Sequence, residues 1–302
     1  MTLEMSRTLL VLNPASGTAR DAAFWLEKLR NQGIDAEVCE ADADGELPPL
    51  DETDLLIVAG GDGTVHLHAK ACMAAKCVLG VLPAGTGNDF ARGLTIPLRA
   101  EDACRQLRTG GVQHIDVGTV NDEIFLNVAH IGFATTLTGN AGQARNHKKW
   151  WGRLAYPRLV IDRLRDLRGF KATIRDDHGT LRGRWLQITL ANGRSFGGGQ
   201  QVFDATPFDG QLHLIAIKPH PIHKLFFLWL WARLTRSTPK TPAVVERRSA
   251  HFEISAKSSL PVNADGEELA CLPARFGIVP RALWVVAPGS MPSESARKIW
   301  LD

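Results

Sequence analysis

The run Leu55-Leu56-Ile57-Val58-Ala59 is wholly apolar and stops on Gly60-Gly61-Asp62-Gly63-Thr64. A strand without polar alternation buries both faces, which is the habit of a parallel sheet covered by helices on each side. The same pattern recurs through the first third of the chain. "TLLVLN" reads as a buried strand and is followed by the helical "ARDAAFWLEKLRNQG", with Gly33 as its stop. "IDAEVCE" is a further strand, and the helical "VHLHAKACMAA" leads into the strand "CVLGVLP". Strands alternating with helices predict a doubly wound parallel α/β layer. Ligands of such layers bind at the carboxyl ends of the strands, where the turns lie.

After about Gly118 the rhythm changes. "GTVNDEIFLNVAHIGFA" reads as two strands around an Asn-Asp turn, and "KATIRDD", "WLQITLAN", "QLHLIAI", "HFEISA", "LPVNA" and "ALWVVAP" are further short strands. Turns rich in Gly, Asp and Pro between them predict an antiparallel β-sandwich. The expected layout is therefore an α/β domain over residues 1–118 and a β-sandwich domain over 119–288, with 289–302 folding back onto the first.

Three turns at strand ends share one character: "NPASGTAR" from Asn13, "GGDGT" from Gly60 and "PAGTGNDFARG" from Pro83. Each follows an apolar strand and opens toward a helix. Glycine permits close approach of backbone to a ligand, and a helix start offers free N–H groups and partial positive charge to a phosphate. Glycines also simply make tight turns. Asp62 narrows the choice, because a carboxylate beside a phosphate needs a cation or a ligand hydroxyl between them. There is no G-x-x-x-x-G-K-[ST] and no G-x-G-x-x-G after the first strand, which argues against a P-loop enzyme and a Rossmann dehydrogenase.

A net charge of +3 on 302 residues gives no case for nucleic-acid binding. The five cysteines are odd in number, scattered and without C-x-x-C spacing, so a reducing cytoplasm is expected rather than a disulfide frame or zinc site. The N-terminus lacks a signal-peptide pattern. The apolar "LFFLWLWA" is far shorter than the roughly 20 residues a membrane span needs.

"GGDGT" together with "PAGTGNDFARGL" resembles the diacylglycerol-kinase catalytic domain, in particular the bacterial lipid kinases of the YegS type. The resemblance continues through "IDVGTVNDEIFLNVAHIGF", "ANGRSFGGG", "FDGQL" and "ADGEEL", in the family's order, and covers nearly the whole chain. It implies an ATP- and Mg²⁺-dependent kinase in which a hydroxyl of a membrane lipid such as diacylglycerol attacks the γ-phosphoryl group in a cleft between the domains. By the same resemblance Asn13, Ser16, Gly60, Gly61, Asp62, Gly63, Thr64, Gly85, Thr86 and Asn88 hold the nucleotide, with Asp62 near the phosphates or their Mg²⁺. Asp265 matches the general base, while Asp265-Gly266 also reads as a hairpin turn. Asp209, with carbonyls of Thr206 and Gln211, matches a second metal position, or again only an Asp-Gly turn.

The family usually continues GGDGT with an apolar residue, Asn and Glu, where this chain has Val65, His66 and Leu67. His66 and His68 are two apart and cannot share a helix face, so they are poor joint metal ligands. For membrane contact the candidates are Trp150 and Trp151 among basic residues. Leu154, Ile161 and Leu164 read instead as a packed helical stripe. "KLFFLWLWARL" is either deeply buried or a greasy lipid-access wall. The expected setting is cytoplasmic, peripheral to the membrane, with room for a homodimer. The alternatives are a kinase of a soluble acceptor such as NAD and a non-catalytic nucleotide- or lipid-binding protein.

Overall fold

The computed structural model describes residues 7–12, 21–39, 47–132, 168–197, 200–202, 205–235 and 237–289. Strands β1 (Arg7–Leu12), β2 (Glu37–Cys39), β3 (Asp54–Gly60) and β4 (Val78–Pro83) run parallel in the order β2-β1-β3-β4. Every residue of β3 and β4 is buried, as their unbroken apolar runs require. Leu56, Val58, Leu79 and Val81 pack against helices α2 (Asp62–Ala75) and α3 (Asp89–Gly93). Their neighbours Leu55, Ile57, Val78 and Leu82 pack on the other face against α1 (Ala22–Arg30) and α4 (Ala100–Thr109). The doubly wound layer expected from the sequence is present.

The chain then builds β5 (Gly111–Val120), an Asn121-Asp122 turn with Asn121 at φ 52°, and β6 (Glu123–Phe125). A six-stranded antiparallel sheet follows, ordered β14-β13-β10-β7-β16-β17. Its strands are β7 (Val128–Gly132), β10 (Gln187–Ala191), β13 (Leu212–Ile217), β14 (Val244–Ser249), β16 (Pro261–Ala264) and β17 (Glu267–Cys271). Strands β8 (Phe170–Asp176), β9 (Gly179–Trp185) and β15 (His251–Ala256) form the facing layer. Ile131, Ile188, Leu214 and Val262 from one layer meet Ile174, Phe252, Ile254 and Phe276 from the other in one core, which makes this half a sandwich. A short hairpin of β11 (Ser195–Phe196) and β12 (Gln200–Gln201) and the helix α5 (Ile222–Thr235) complete the described elements.

The two halves share a strand. β18 (Ala274–Ala287) pairs with β15 through Ala274–Gly277 and, further on, lies parallel to β4 through Trp284 and Val285. It also pairs with β5 from Phe276↔Val120 to Ala287↔Gly111, with a register shift between Val279 and Leu283. Arg281, at φ 52°, sits in that irregularity, and its backbone N–H donates to Asp116 Oδ1 at 2.8 Å. The fold-back expected of 289–302 lies, Gly289 aside, outside the described residues, as do Trp150, Trp151, Leu154, Ile161 and Leu164. Within the described residues the return to the first layer is made by β18.

Candidate active site

The turns after β3 and β4 are in van der Waals contact. Ala84 N–H donates to the Gly60 carbonyl at 2.9 Å, and a Cβ placed on Gly85 would stand 2.5 Å from Gly61 Cα. Glycine is needed at both positions because backbone packs on backbone. Asn88, in the left-handed region at φ 52°, closes its own turn. Its Oδ1 accepts from Gly85 N–H at 2.9 Å and its Nδ2 donates to the Gly85 carbonyl at 2.7 Å. Thr64 is buried beneath Gly60, whereas Thr86 is exposed at the turn tip and Gly63 looks onto open space. The start of α2 carries no side-chain cap, and a helix N-terminus is a favourable place for an anion. Asn13 and Ser16 lie outside the described residues.

Asp62 ties the two turns together: its Oδ1 accepts from Phe90 N–H at 2.9 Å, in the first turn of α3. Burial pushes its carboxyl above the ordinary carboxylate range, against hydrogen bonds from the backbone of Phe90 and Asp89, and the charges of Asp89 and Asp265 push it further. Asp89 in turn accepts from Ser195 Oγ–H at 3.0 Å. Acids from both halves of the molecule therefore converge on one rim.

Asp265 and Gly266 form the two-residue turn of the β16–β17 hairpin, at φ 51° and 98°, the signature of a type I′ turn. The hairpin reading is met, and the turn aims the carboxylate inward at the backbone of Leu126–Val128. Oδ2 accepts from Leu126 N–H at 2.6 Å, and Oδ1 from Asn127 N–H at 2.9 Å and Val128 N–H at 3.1 Å. His66 Nδ1, on α2, lies 3.3 Å from Oδ2. A cavity of about 710 Å³ opens beside them, lined from α2 by Gly61, Gly63, Thr64, His66 and Lys70, and from the sandwich side by Glu123 and Glu267. Lys70 and Glu123 form an ion pair across its mouth.

Asp209 does not line this cavity. Its Oδ1 accepts from Gln211 N–H at 3.1 Å, capping the turn that begins near Thr206. Gly210 N–H donates to Asp116 Oδ2 at 2.7 Å. Among the described residues no group of three or more His, Cys, Asp or Glu is placed to hold a metal ion.

Two residues that brace the candidate site escaped the sequence reading. Buried Asp116 clamps the Gly210 turn and the β18 irregularity at once. Asn192, fully buried, donates through Nδ2 to the carbonyls of Asp116 and Leu126, both at 2.9 Å, and so fixes the segment that holds Asp265. Both lie inside the motifs "IDVG" and "ANGRSFGGG", but their partners are distant in sequence. The helix α5 excludes one of the two readings of "KLFFLWLWARL", deep burial: none of its described side chains is buried, and Ile222, Phe226, Phe227, Trp229, Trp231 and Leu234 are 50% to 74% exposed.

A model of the diacylglycerol kinase catalytic domain matches residues 7–120, and one of the YegS C-terminal NAD kinase beta sandwich-like domain matches 134–287. A Klebsiella pneumoniae (strain 342) protein named "Probable lipid kinase YegS-like" is 31% identical, over 94% of this chain and 97% of its own length. "Diacylglycerol kinase" of Bacillus subtilis (strain 168) is 29% identical, over 98% and 99%. A crystal structure described as a diacylglycerol kinase from Bacillus anthracis strain Sterne has the same fold, with a TM-score of 0.70 at 19% identity, covering 93% of this chain and 96% of that one. With both domains matched in order along nearly its whole length, the chain belongs to the diacylglycerol kinase-like family of YegS-type lipid kinases.

Proposed function

We propose that this protein transfers the γ-phosphoryl group of ATP to a hydroxyl of a diacylglycerol-like membrane lipid, in the cleft between the α/β layer and the β-sandwich. The observation that carries the reading is the convergence of the glycine turns of Gly61 and Gly85 with Asp62 and Asp265 at one rim. Gly60, Gly61, Gly63, Thr64, Gly85 and Thr86 present backbone to the triphosphate, the first-turn N–H groups of α2 meet its charge, and Asn88 holds the Gly85 turn in shape. Phosphoryl transfer asks for positioning and charge neutralisation above all, and a rim locked by backbone contacts supplies both. The proton of the attacking hydroxyl leaves toward the Asp265 corner.

A divalent cation arriving with the nucleotide would offset the like charges of Asp89 and Asp265 that raise Asp62. Mg²⁺ bound there supplies charge neutralisation for the phosphates, and Asp62 is the residue that would hold it. Asp209, with backbone of Thr206 and Gln211, is the candidate for a second Mg²⁺ that serves structure, its Oδ2 left open by the turn.

The lipid arrives at a membrane face built on α5. Its exposed aromatics flank a groove of about 980 Å³ lined by Phe227, Leu228, Trp231 and the 237–243 segment, with His220, Lys224 and Lys240 at its edge and Glu246 as its one acid. Aromatic side chains beside cations suit an anionic bilayer surface. Among the described residues no helix is long and apolar enough to cross a membrane, so α5 lies on the surface.

The test is phosphate transfer from labelled ATP to diacylglycerol in anionic vesicles, with NAD offered in parallel. Label in the lipid supports the reading. Label in NAD alone, or in neither acceptor while ATP still binds, overturns it.

A further inference from the structure

Asp265 is poorly exposed to the acceptor it is expected to serve. Its side chain is 3% exposed, both oxygens already accept backbone N–H groups, and it is not among the residues that line the cavity. His66 is. Its side chain is 12% exposed, it lines the cavity, and its Nδ1 faces Asp265 Oδ2 at 3.3 Å. An ionised carboxylate can only accept, so Nδ1–H donates to it, and in the neutral ring with that tautomer the lone pair is on Nε2. Among the described residues the Asp265 contact is the ring's one hydrogen bond.

We infer that His66 and Asp265 work as a dyad, in which His66 Nε2 takes the proton of the attacking hydroxyl and Asp265 acts by orienting the ring. The inference deepens the kinase reading and rests on it for the nature of the acceptor. As the acceptor oxygen bonds to the γ-phosphorus, the bond from that phosphorus to the β,γ-bridging oxygen breaks. ADP departs with its electron pair. The hydroxyl proton passes to Nε2, the resulting imidazolium is paired with the Asp265 carboxylate, and the ring returns its proton to water after release. The three amides on Asp265 then have a second use: they fix the carboxylate so that the ring it holds is fixed too. A contact of 3.3 Å is long for the ground state and shortens as positive charge develops on the ring.

The other charged groups that line the cavity are Lys70 on α2, Glu123 on β6 and Glu267 and Glu268 on β17, and Asp62 begins the helix that carries His66. Lys70 is paired with Glu123, whose carboxyl that hydrogen bond holds below its ordinary range. Lys70 and Glu123 thus occupy each other at the mouth of the cavity, and the His66 ring lines the space behind them.

The experiment compares wild type with His66→Gln, His66→Ala and Asp265→Asn, measuring turnover against pH with saturating ATP and diacylglycerol vesicles. The dyad predicts a loss of about 10²-fold or more in kcat for His66→Gln with little change in ATP affinity, the usual scale of a lost general base. It also predicts that the acid limb of the wild-type profile disappears in this variant, and that added imidazole restores His66→Ala but leaves Asp265→Asn unchanged. Turnover of His66→Gln within about threefold of wild type with the same profile overturns the dyad, as does a variant altered only in its KM for ATP. If wild type labels NAD rather than lipid, the acceptor reading falls and the dyad is judged on NAD by the same variants.

Discussion

Replacing Gly85 by alanine tests the contact on which the nucleotide rim depends. The added methyl carbon would lie 2.5 Å from Gly61 Cα, 3.0 Å from Asn88 Oδ1 and 3.3 Å from Gly61 N. Carbon atoms rest at about 3.5 Å or more, so one turn must retreat by roughly 1 Å. Two of these three neighbours are backbone atoms and no side-chain rotation relieves them. Overpacking of this kind costs about 1–3 kcal/mol, which lowers the melting temperature by about 2–4 °C per kcal/mol in a chain of a few hundred residues. A 1 Å displacement at the phosphate cradle costs about 10²-fold in turnover. Gly63→Ala is the matched comparison, since nothing lies within 4 Å of its added carbon. It preserves or slightly raises the melting temperature, as glycine is a poor helix former, yet weakens ATP binding by projecting a methyl group from the α2 start. Thermal unfolding, calorimetric ATP titration and steady-state transfer to diacylglycerol vesicles read all three quantities. A Gly85→Ala protein that melts within about 1 °C of wild type and turns over within about twofold would refute the argument from contact.

Changing both Phe227 and Trp231 to Glu leaves the fold intact, because both are exposed, and lowers sedimentation with anionic vesicles by about 10²-fold, two aromatic side chains at roughly 1.5 kcal/mol each; unchanged sedimentation would remove α5 as the membrane face. Asp62→Asn abolishes turnover but stabilises the fold at neutral pH. The folded-state value of Asp62 is raised by burial and by Asp89 and Asp265, so its favourable contribution is complete below the ordinary carboxylate value and is lost as pH rises through the raised one. The melting-temperature gap between variant and wild type therefore narrows on acidification, and a gap that widens contradicts the assignment.

Much of this arrangement is written locally in the chain. Leu55–Ala59 of β3 and Val78–Leu82 of β4 carry no polar side chain, so their burial on both faces needs no knowledge of partners. Asp265-Gly266 is legible as a turn because type I′ geometry demands φ > 0 at both residues. The contacts that make these pieces a site are not local. His66 and Asp265 are 199 positions apart, and a departure from the usual family residue reads as a loss until the hairpin is brought beside α2. Asp116 looks like any strand carboxylate until Gly210 and Arg281 are seen to share it. The helix α5 is apolar almost all round, a pattern suited to a core as well as to an exposed apolar face, and only its exposure excludes the core.

The shared strand has a consequence for how the cleft works. Hinged kinases close on the nucleotide by rotating one lobe, which requires a connection that bends. Here the ten-stranded sheet runs unbroken from β2 to β9 through β18, and β5 pairs beside β18 from Val120 to Gly111. Rotating one half against the other would tear the ladder at Trp284–Val285 or strain the Arg281 irregularity that Asp116 already pins. Three amides and His66 hold the Asp265 tip to both halves as well. The spacing of Asp62 and Asp265 is thus set on folding, and the proposed transfer draws on preorganisation instead of lobe closure. Small-angle scattering with and without a non-hydrolysable ATP analogue should give the same radius of gyration. A contraction of roughly 1 Å or more, of the kind domain closure produces, would mean that the sheet bends and that the acids are assembled only after the nucleotide binds.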